Sequence, residues 1–196
     1  MSIENGFKEA TTCPLVQGEP YYLGSTFESQ LAKDGPVILT PAMQLGYGQD
    51  DPSDGFQSLG KQLGIPKNRL KKAYQKALDI QEDMHAEMIV MGKQALGELE
   101  QDPDQVGIVL FGRPYNAFMP EANKGIPHKF ASRGYKLIPV DFLDLKDAEI
   151  RDHMYWSMGQ INLKGAAIVE AHPQLFGTFI TNFSCGPDSF VVGYFR

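Results

Sequence analysis

The chain has 196 residues, of which 42% are apolar and 21% are charged, which is typical of a globular domain of ordinary size and excludes an intrinsically disordered protein. The net charge of -6 argues against a broad attraction to nucleic acid or to an anionic membrane. No run approaches the roughly 20 consecutive apolar residues of a membrane span, and the N-terminus lacks the pattern of a secretion signal, so we expect a cytoplasmic protein.

The first third of the sequence predicts little regular structure. Residues 1–35 have no clear periodicity and predict a loop-rich segment. The short apolar run Pro36 to Leu39 predicts a strand. The loop at 45–55 carries three aspartates, which predict a solvated acidic turn, because the downstream Glu of a calcium-binding loop is missing.

A long helix is predicted next. From Pro66 to Glu100 there is no internal proline, and apolar residues recur at the spacing of helical turns, so we expect one helix of roughly 50 Å or two in tandem. The methionines on it are typical either of a core face or of a surface that binds a partner. We expect 1–105 to pack on a core formed by 106–196, or the two to form one continuous domain.

Strand and helix patterns alternate after residue 105. The predicted order is β-α-β-α-β, with strands at Val106 to Phe111, Lys136 to Val140 and Phe176 to Phe183, and helices at Ile126 to Arg133 and Tyr155 to Glu170. This order predicts an α/β fold with a doubly wound, mostly parallel sheet of the Rossmann-like or flavodoxin-like kind.

Unusual residues follow the ends of the predicted strands. Because the carboxyl ends of parallel strands meet at one edge, we expect these residues to form a ligand site. Arg113 offers donors for a phosphate or carboxylate, and Gly112 permits close backbone approach. The predicted ligand-binding residues are Gly112, Arg113, Tyr115, Asn116 and Asp141. Ordinary turn residues and a surface salt bridge remain the alternative.

Cys185 lies where the last strand pattern stops and a helix pattern begins. We expect Asp188 to be the N-cap of that helix. A thiol in this position is placed near the positive end of the helix dipole, which predicts a lowered pKa. The alternative is a free structural cysteine, and with two cysteines in the chain reduced thiols are expected.

Four segments carry a family likeness: Gly-Arg-Pro-Tyr-Asn at 112–116, Gly-Ile-Pro at 125–127, Met-Tyr-Trp-Ser-Met-Gly-Gln at 154–160, and Thr-Asn-Phe-Ser-Cys-Gly-Pro-Asp-Ser-Phe at 181–190. They resemble a region of the large CoA-substrate-specific enzyme activase proteins, which are related to the 2-hydroxyacyl-CoA dehydratase and benzoyl-CoA reductase systems. Cys13, in Cys-Pro-Leu-Val, resembles a cysteine element of the same region.

The resemblance implies an iron-sulfur domain that takes part in ATP-driven, low-potential electron transfer. It implies that Cys13 and Cys185 help to ligate a [4Fe–4S] cluster, with an ATPase activator portion or subunit as partner and acyl-CoA or a related small molecule as ligand. No glycine-rich phosphate-binding ATPase motif is present, so ATP hydrolysis is expected elsewhere. Two cysteines do not complete a four-thiolate set, so the other ligands are expected from outside this sequence.

The chain stops a few residues into its last predicted helix, which predicts a fragment of a longer protein; a short native terminal turn is the alternative. No catalytic residue is assigned, and the chain by itself is not expected to be an active enzyme. One alternative function is a non-catalytic interaction or scaffold domain whose long helix docks an ATPase partner or a second copy in a homodimer. Another is a hydrolase with Cys185 as nucleophile, although no His follows at a spacing that suggests a base.

Overall fold

The computed structural model describes residues 11–31, 35, 37–41, 54–149, 151–182 and 184–195. The chain separates into two compact units, Met1–Glu82 and Asp83–Arg196. The expected domain boundary near residue 105 stays a prediction. In the described part of the chain, no helix has the length and apolar character needed to cross a membrane.

The regular structure of the first unit, where it is described, is mainly helical. Helix α1 spans Pro14–Thr26, and α2 spans Asp54–Leu63. The loop-rich prediction was therefore wrong for residues 14–26, because Pro14 supplies the fixed φ that suits a first helical position. The predicted strand at Pro36 to Leu39 was also wrong, since residues 37–39 have no regular structure. Most of the predicted acidic turn at 45–55 lies outside the described residues.

The long helix was predicted as one element or two in tandem, and the structure has one uninterrupted helix. Helix α3 spans Lys67–Glu100 and has 34 residues. Its first turns pack on α2, where the rings of Phe56 and Tyr74 lie 5.5 Å apart. Few of its residues are fully buried, so it depends on local helix propensity as well as on packing.

The second unit contains a parallel sheet, as predicted. Its three described strands are β1, Gly107–Gly112, β2, Lys136–Pro139, and β3, Leu175–Ile180. They lie in the order β2-β1-β3, and both pairings are parallel. All six residues of β1 are buried, as expected for a central strand covered on both faces.

Helices cover both faces of this sheet. They are α4, Pro114–Ala117, α5, Pro120–Asn123, α6, Ile126–Ala131, α7, Ser157–Ala171, and α8, Gly186–Phe195. One core joins Val109 and Phe111 of β1 to residues of α3, α7 and α8, and the other joins Ile108 and Leu110 to residues of α4 and α6. Alternate residues of one strand thus enter opposite cores, which confirms the doubly wound α/β class.

Sequence patterns located these elements to within a few residues. The short helices α4 and α5 were not predicted, and both begin at a proline, Pro114 and Pro120. Helix α7 begins two residues later than predicted, at Ser157, and β3 ends at Ile180 instead of Phe183. These differences lie at element ends, where propensity signals are weakest.

Candidate functional site at the strand ends

The candidate site lies where the chain leaves β1 and β3 in opposite directions. These neighbouring strands pair Gly112 with Ile180 at their carboxyl ends. After β1, the Ala117 side chain of α4 joins the core on one face. After β3, the Phe195 ring of α8 packs 4.6 Å from Phe111 on the other face. This divergence is a topological switch point, the place at which open α/β sheets bind ligands.

Gly112 permits the close approach of the two strands. Its φ is +133°, a region that residues with a side chain rarely adopt. A Cβ at this position would overlap the carbonyl oxygen of Ile180. Gly112 therefore holds the end of β1 against β3 and directs Arg113 into the crevice.

Arg113 and Asp188 form a buried ion pair across the crevice. The Arg113 Nε donates to Asp188 Oδ1 at 2.9 Å, and the side chains are only 10% and 1% exposed. The Thr181 hydroxyl donates to the other carboxylate oxygen at 2.7 Å. Burial acts to lower the pKa of Arg113, but the hydrogen bond and charge of Asp188 outweigh it, so that pKa is raised. The ion pair joins the loops that follow β1 and β3.

Cys185, and not Asp188, occupies the N-cap position of α8. The helix begins at Gly186, and the Ser189 N–H donates to the Cys185 carbonyl at 3.0 Å. The backbone and the carboxylate of Asp188 both lie close enough to the Cys185 sulfur to act on the pKa of the thiol. The assignment of Asp188 as N-cap was wrong, because the helix begins at Gly186 and the Asp188 carboxylate accepts hydrogen bonds from Arg113 and Thr181.

The thiol of Cys185 has a raised pKa, which contradicts the expectation of a lowered one. Burial is the largest cause and raises it. The Asp188 N–H and the Arg113 charge act to lower the pKa, whereas the Asp188 carboxylate adds to the increase. The helix dipole is therefore not enough to offset desolvation. A raised pKa disfavours Cys185 as the nucleophile of a hydrolase.

Tyr115 and Asn116 follow Arg113 on the same rim. Tyr115 is 55% exposed. Asn116 is only 8% exposed, and its Nδ2 has no hydrogen-bond partner among the described residues. A buried amide donor without a partner is costly, so Asn116 is distinguished from the other polar groups of this rim.

Asp141 lies at the end of the neighbouring strand β2, in the 3-10 turn Val140–Phe142. Its Oδ1 is buried without a hydrogen-bond partner in the described part of the chain. Burial raises its pKa, and His85 of α3 acts in the opposite direction. No hydrogen bond or ion pair of the described residues joins Asp141 to Arg113. The structure thus places Cys185 within electrostatic range of Arg113, whereas Asp141 is not bonded to either of them in the described part of the chain.

Cys13 lies at the N-cap of α1 in the first unit, and its thiol, like that of Cys185, is half-buried and free of a disulfide. Within the described ranges, no group of three or more Cys, His, Asp or Glu residues is arranged to hold a metal ion. The second unit contributes one thiol, so its residues fit a single ligand position of a four-thiolate cluster and not a complete site.

Thr181 and Asp188 have contacts at these strand ends that the sequence did not assign to them, and His85 acts electrostatically on Asp141. The sequence placed an arginine and an aspartate on two loops of one rim, and opposite charges in such positions were the available signal for the ion pair. His85 lies in the long helix, far from β2 in sequence, and no local pattern pairs it with Asp141.

The fold and the strand-end residues define a doubly wound α/β module with a thiol at its switch point. Residues 1–143 match the family described as CoA enzyme activase uncharacterised domain (DUF2229), and the chain belongs to that family. This confirms the resemblance to activase proteins. Arg113 and Asp141 lie inside the matched range, whereas Cys185 and Asp188 lie beyond it. No curated protein and no solved structure matches the chain significantly.

Proposed function

We propose that this chain is an iron-sulfur-binding part of a CoA enzyme activase system, in which Cys185 supplies one thiolate to a [4Fe–4S] cluster. Cys13 supplies a second, and the remaining ligands come from outside this sequence. When bound, such a cluster relays single electrons at low potential. The observation that carries the proposal is the place of the Cys185 thiol, at a helix start within electrostatic range of Arg113.

The surroundings of Cys185 suit a metal thiolate. The backbone of Asp188 acts to lower the pKa of the thiol, and hydrogen bonds from backbone N–H groups to cluster sulfurs tune cluster potentials. Arg113 favours negative charge on the sulfur. Because the pKa of the thiol is raised by burial, ligation has to displace its proton, so iron loading is expected to increase with pH.

Arg113, Tyr115 and Asn116 are the residues we assign to binding the acyl-CoA or related ligand. The buried amide nitrogen of Asn116 lacks a partner in the described structure and is a ready donor to a ligand carbonyl. Arg113 acts mainly by holding the rim in place, since its Nε is already bonded to Asp188. Asp141 offers an acceptor oxygen at the adjoining strand end.

The test is anaerobic reconstitution with iron and sulfide of the assembled activase system that contains this chain. We expect Cys185→Ala to lower iron content and visible absorbance. Cys185→Ser is the matched variant, because a hydroxyl retains the helix cap and is a poor cluster ligand. Unchanged iron content in both variants would remove Cys185 from the ligand set.

A second candidate function is a non-catalytic docking domain that binds an ATPase activator portion or subunit through α3. Met84, Val90 and Met91, in the second unit, are 54%, 65% and 57% exposed. Exposed large apolar side chains on one helix favour a partner surface. Met84→Glu with Met91→Glu should then weaken binding to the activator, measured by analytical ultracentrifugation, and leave iron content unchanged. Retained binding would reject this candidate.

A further inference from the structure

A groove of about 870 Å³ runs along α7 and α8 in the second unit. One wall comes from α7, through Leu163, Ala166 and Ala167, which recur at helical spacing. The opposite wall comes from α8, through Phe190 and Tyr194. This groove is distinct from the residues at the switch point, because neither Arg113 nor Cys185 lines it.

The wall of the groove that α7 contributes is apolar and contains small residues. Ala166 and Ala167 leave room beside the two aromatic rings, which are 49% exposed at Phe190 and 64% exposed at Tyr194. The rings lie 5.2 Å apart, and Trp156 lies 5.8 Å from Phe190. Aromatic side chains left open in this way are a common feature of protein-binding surfaces.

The rim of the groove is acidic. Glu149, Asp152 and Glu170 contribute carboxylates, and the basic side chains of the lining are those of Arg151 and His153. Arg151 pairs with Glu149 at 3.3 Å. Asp152 and Glu170 have no ion pair with any side chain in the described part of the chain. Two carboxylates therefore lack an ion-pair partner among the described residues, beside the apolar wall of α7.

We infer that this groove docks a basic amphipathic helix of a partner protein. The apolar face of such a helix fits between the walls of α7 and α8, as in other helix-in-groove complexes. Its lysines or arginines would meet Asp152 and Glu170, and the rings of Phe190 and Tyr194 add cation-π attraction. The inference rests on the shape and charge of the groove and not on the iron-sulfur proposal.

The test uses the full chain and a synthetic 18-residue peptide of Leu and Lys at amphipathic helical spacing. Trp156 is the only tryptophan of the chain, so its fluorescence reports on the wall formed by Phe190. We expect a saturable fluorescence change that weakens with salt, since the contacts at the rim are charged. The matched peptide, with Glu in place of Lys, should not bind. Equal binding of both peptides, or no saturation, would overturn the inference.

Two variants separate the groove from the rest of the surface. Asp152→Asn with Glu170→Gln should weaken the Lys peptide about tenfold, which corresponds to about 1.4 kcal/mol. Ala167→Phe, which fills the groove, should abolish binding. Glu121→Gln with Asp147→Asn removes the same charge from exposed positions outside the groove and should leave binding unchanged.

If Glu121→Gln with Asp147→Asn weakens peptide binding equally, the effect comes from the net charge of the chain and the inference is overturned. If Ala167→Phe shifts the urea midpoint, its loss of binding reflects a change in folding, and the inference is then judged from the charge variants alone. Binding of neutral detergent micelles with equal affinity would instead indicate a lipid-binding groove. Iron content is measured in parallel, and its loss or retention bears only on the Cys185 proposal.

Discussion

Two aspartates at the carboxyl edge of the sheet are buried in different ways. Asp188, beside the ends of β1 and β3, accepts hydrogen bonds from Arg113 and Thr181. Asp141, at the end of β2, has a buried Oδ1 without a partner among the described residues, and burial raises its pKa. The two carboxyl groups thus differ in compensation as well as in burial, since Asp188 is 1% exposed and Asp141 is half-buried.

This difference indicates that the Asp188 carboxylate stabilises the fold, whereas the Asp141 carboxyl group can still accept a hydrogen bond. The charge of Asp188 is balanced within the fold, so it ties the loop after β1 to the start of α8. Asp141 retains an acceptor that a proton or a ligand donor can satisfy. Of the two, Asp141 is the acid expected to respond to pH and to a bound ligand.

The largest expected effect comes from breaking the buried ion pair. Asp188→Ala leaves the Arg113 guanidinium buried without its carboxylate, and we expect a loss of about 3–5 kcal/mol in the free energy of unfolding. Urea unfolding followed by Trp156 fluorescence measures it. A loss below about 1 kcal/mol would contradict the view that this pair holds the rim together.

The next effect tests the close approach of β1 and β3. Gly112→Ala places a Cβ against the Ile180 carbonyl oxygen, and we expect about 1–3 kcal/mol of destabilisation from the overlap, in addition to the cost of the positive φ. Gly134→Ala is the control, since Gly134 also has a positive φ but has nothing within 4 Å of its Cβ position. Equal losses of unfolding free energy in both variants would show that the overlap with the Ile180 carbonyl oxygen does not destabilise the fold.

A smaller effect of opposite sign is expected at Asp141. Because burial raises its folded-state pKa, the carboxyl stabilises the fold below its unfolded pKa of about 3.9, and this stabilisation is lost as pH rises through the folded pKa. Asp141→Asn removes the buried charge and should stabilise the chain at pH 7 by on the order of 1 kcal/mol. Its advantage over the parent should vanish toward pH 3, as measured by urea midpoints across that range. A pH-independent difference would contradict this account.

The smallest effect is expected at an exposed ion pair. Lys93 and Asp144 lie 2.7 Å apart, with side chains 63% and 44% exposed, and the hydrogen bond from Lys93 lowers the pKa of Asp144. Asp144→Asn should cost less than about 1 kcal/mol and lose its effect in high salt. Urea midpoints at low and high salt give both values. A cost equal to that of Asp188→Ala would show that burial does not determine how much an ion pair contributes to the free energy of unfolding.

Local patterns predicted much of the fold of the second unit. Alternating apolar runs located the strands, and helical spacing without internal proline located α3. Patterns failed at α1, where two prolines and scattered polar residues concealed a helix. They also misassigned Asp188, because a capping signal is local whereas the pairing with Arg113 spans 75 residues of sequence.

The sequence by itself determined the order of strands and helices, and therefore the edge of the sheet that collects Arg113, Asp141 and Cys185. Strand and helix periods are properties of neighbouring residues, so they can be read along the chain. Only the tertiary structure decided that Asp188 neutralises Arg113, that Asp141 keeps an open acceptor, and that the pKa of Cys185 is raised. These outcomes depend on desolvation and on distances between remote segments, which no local pattern specifies.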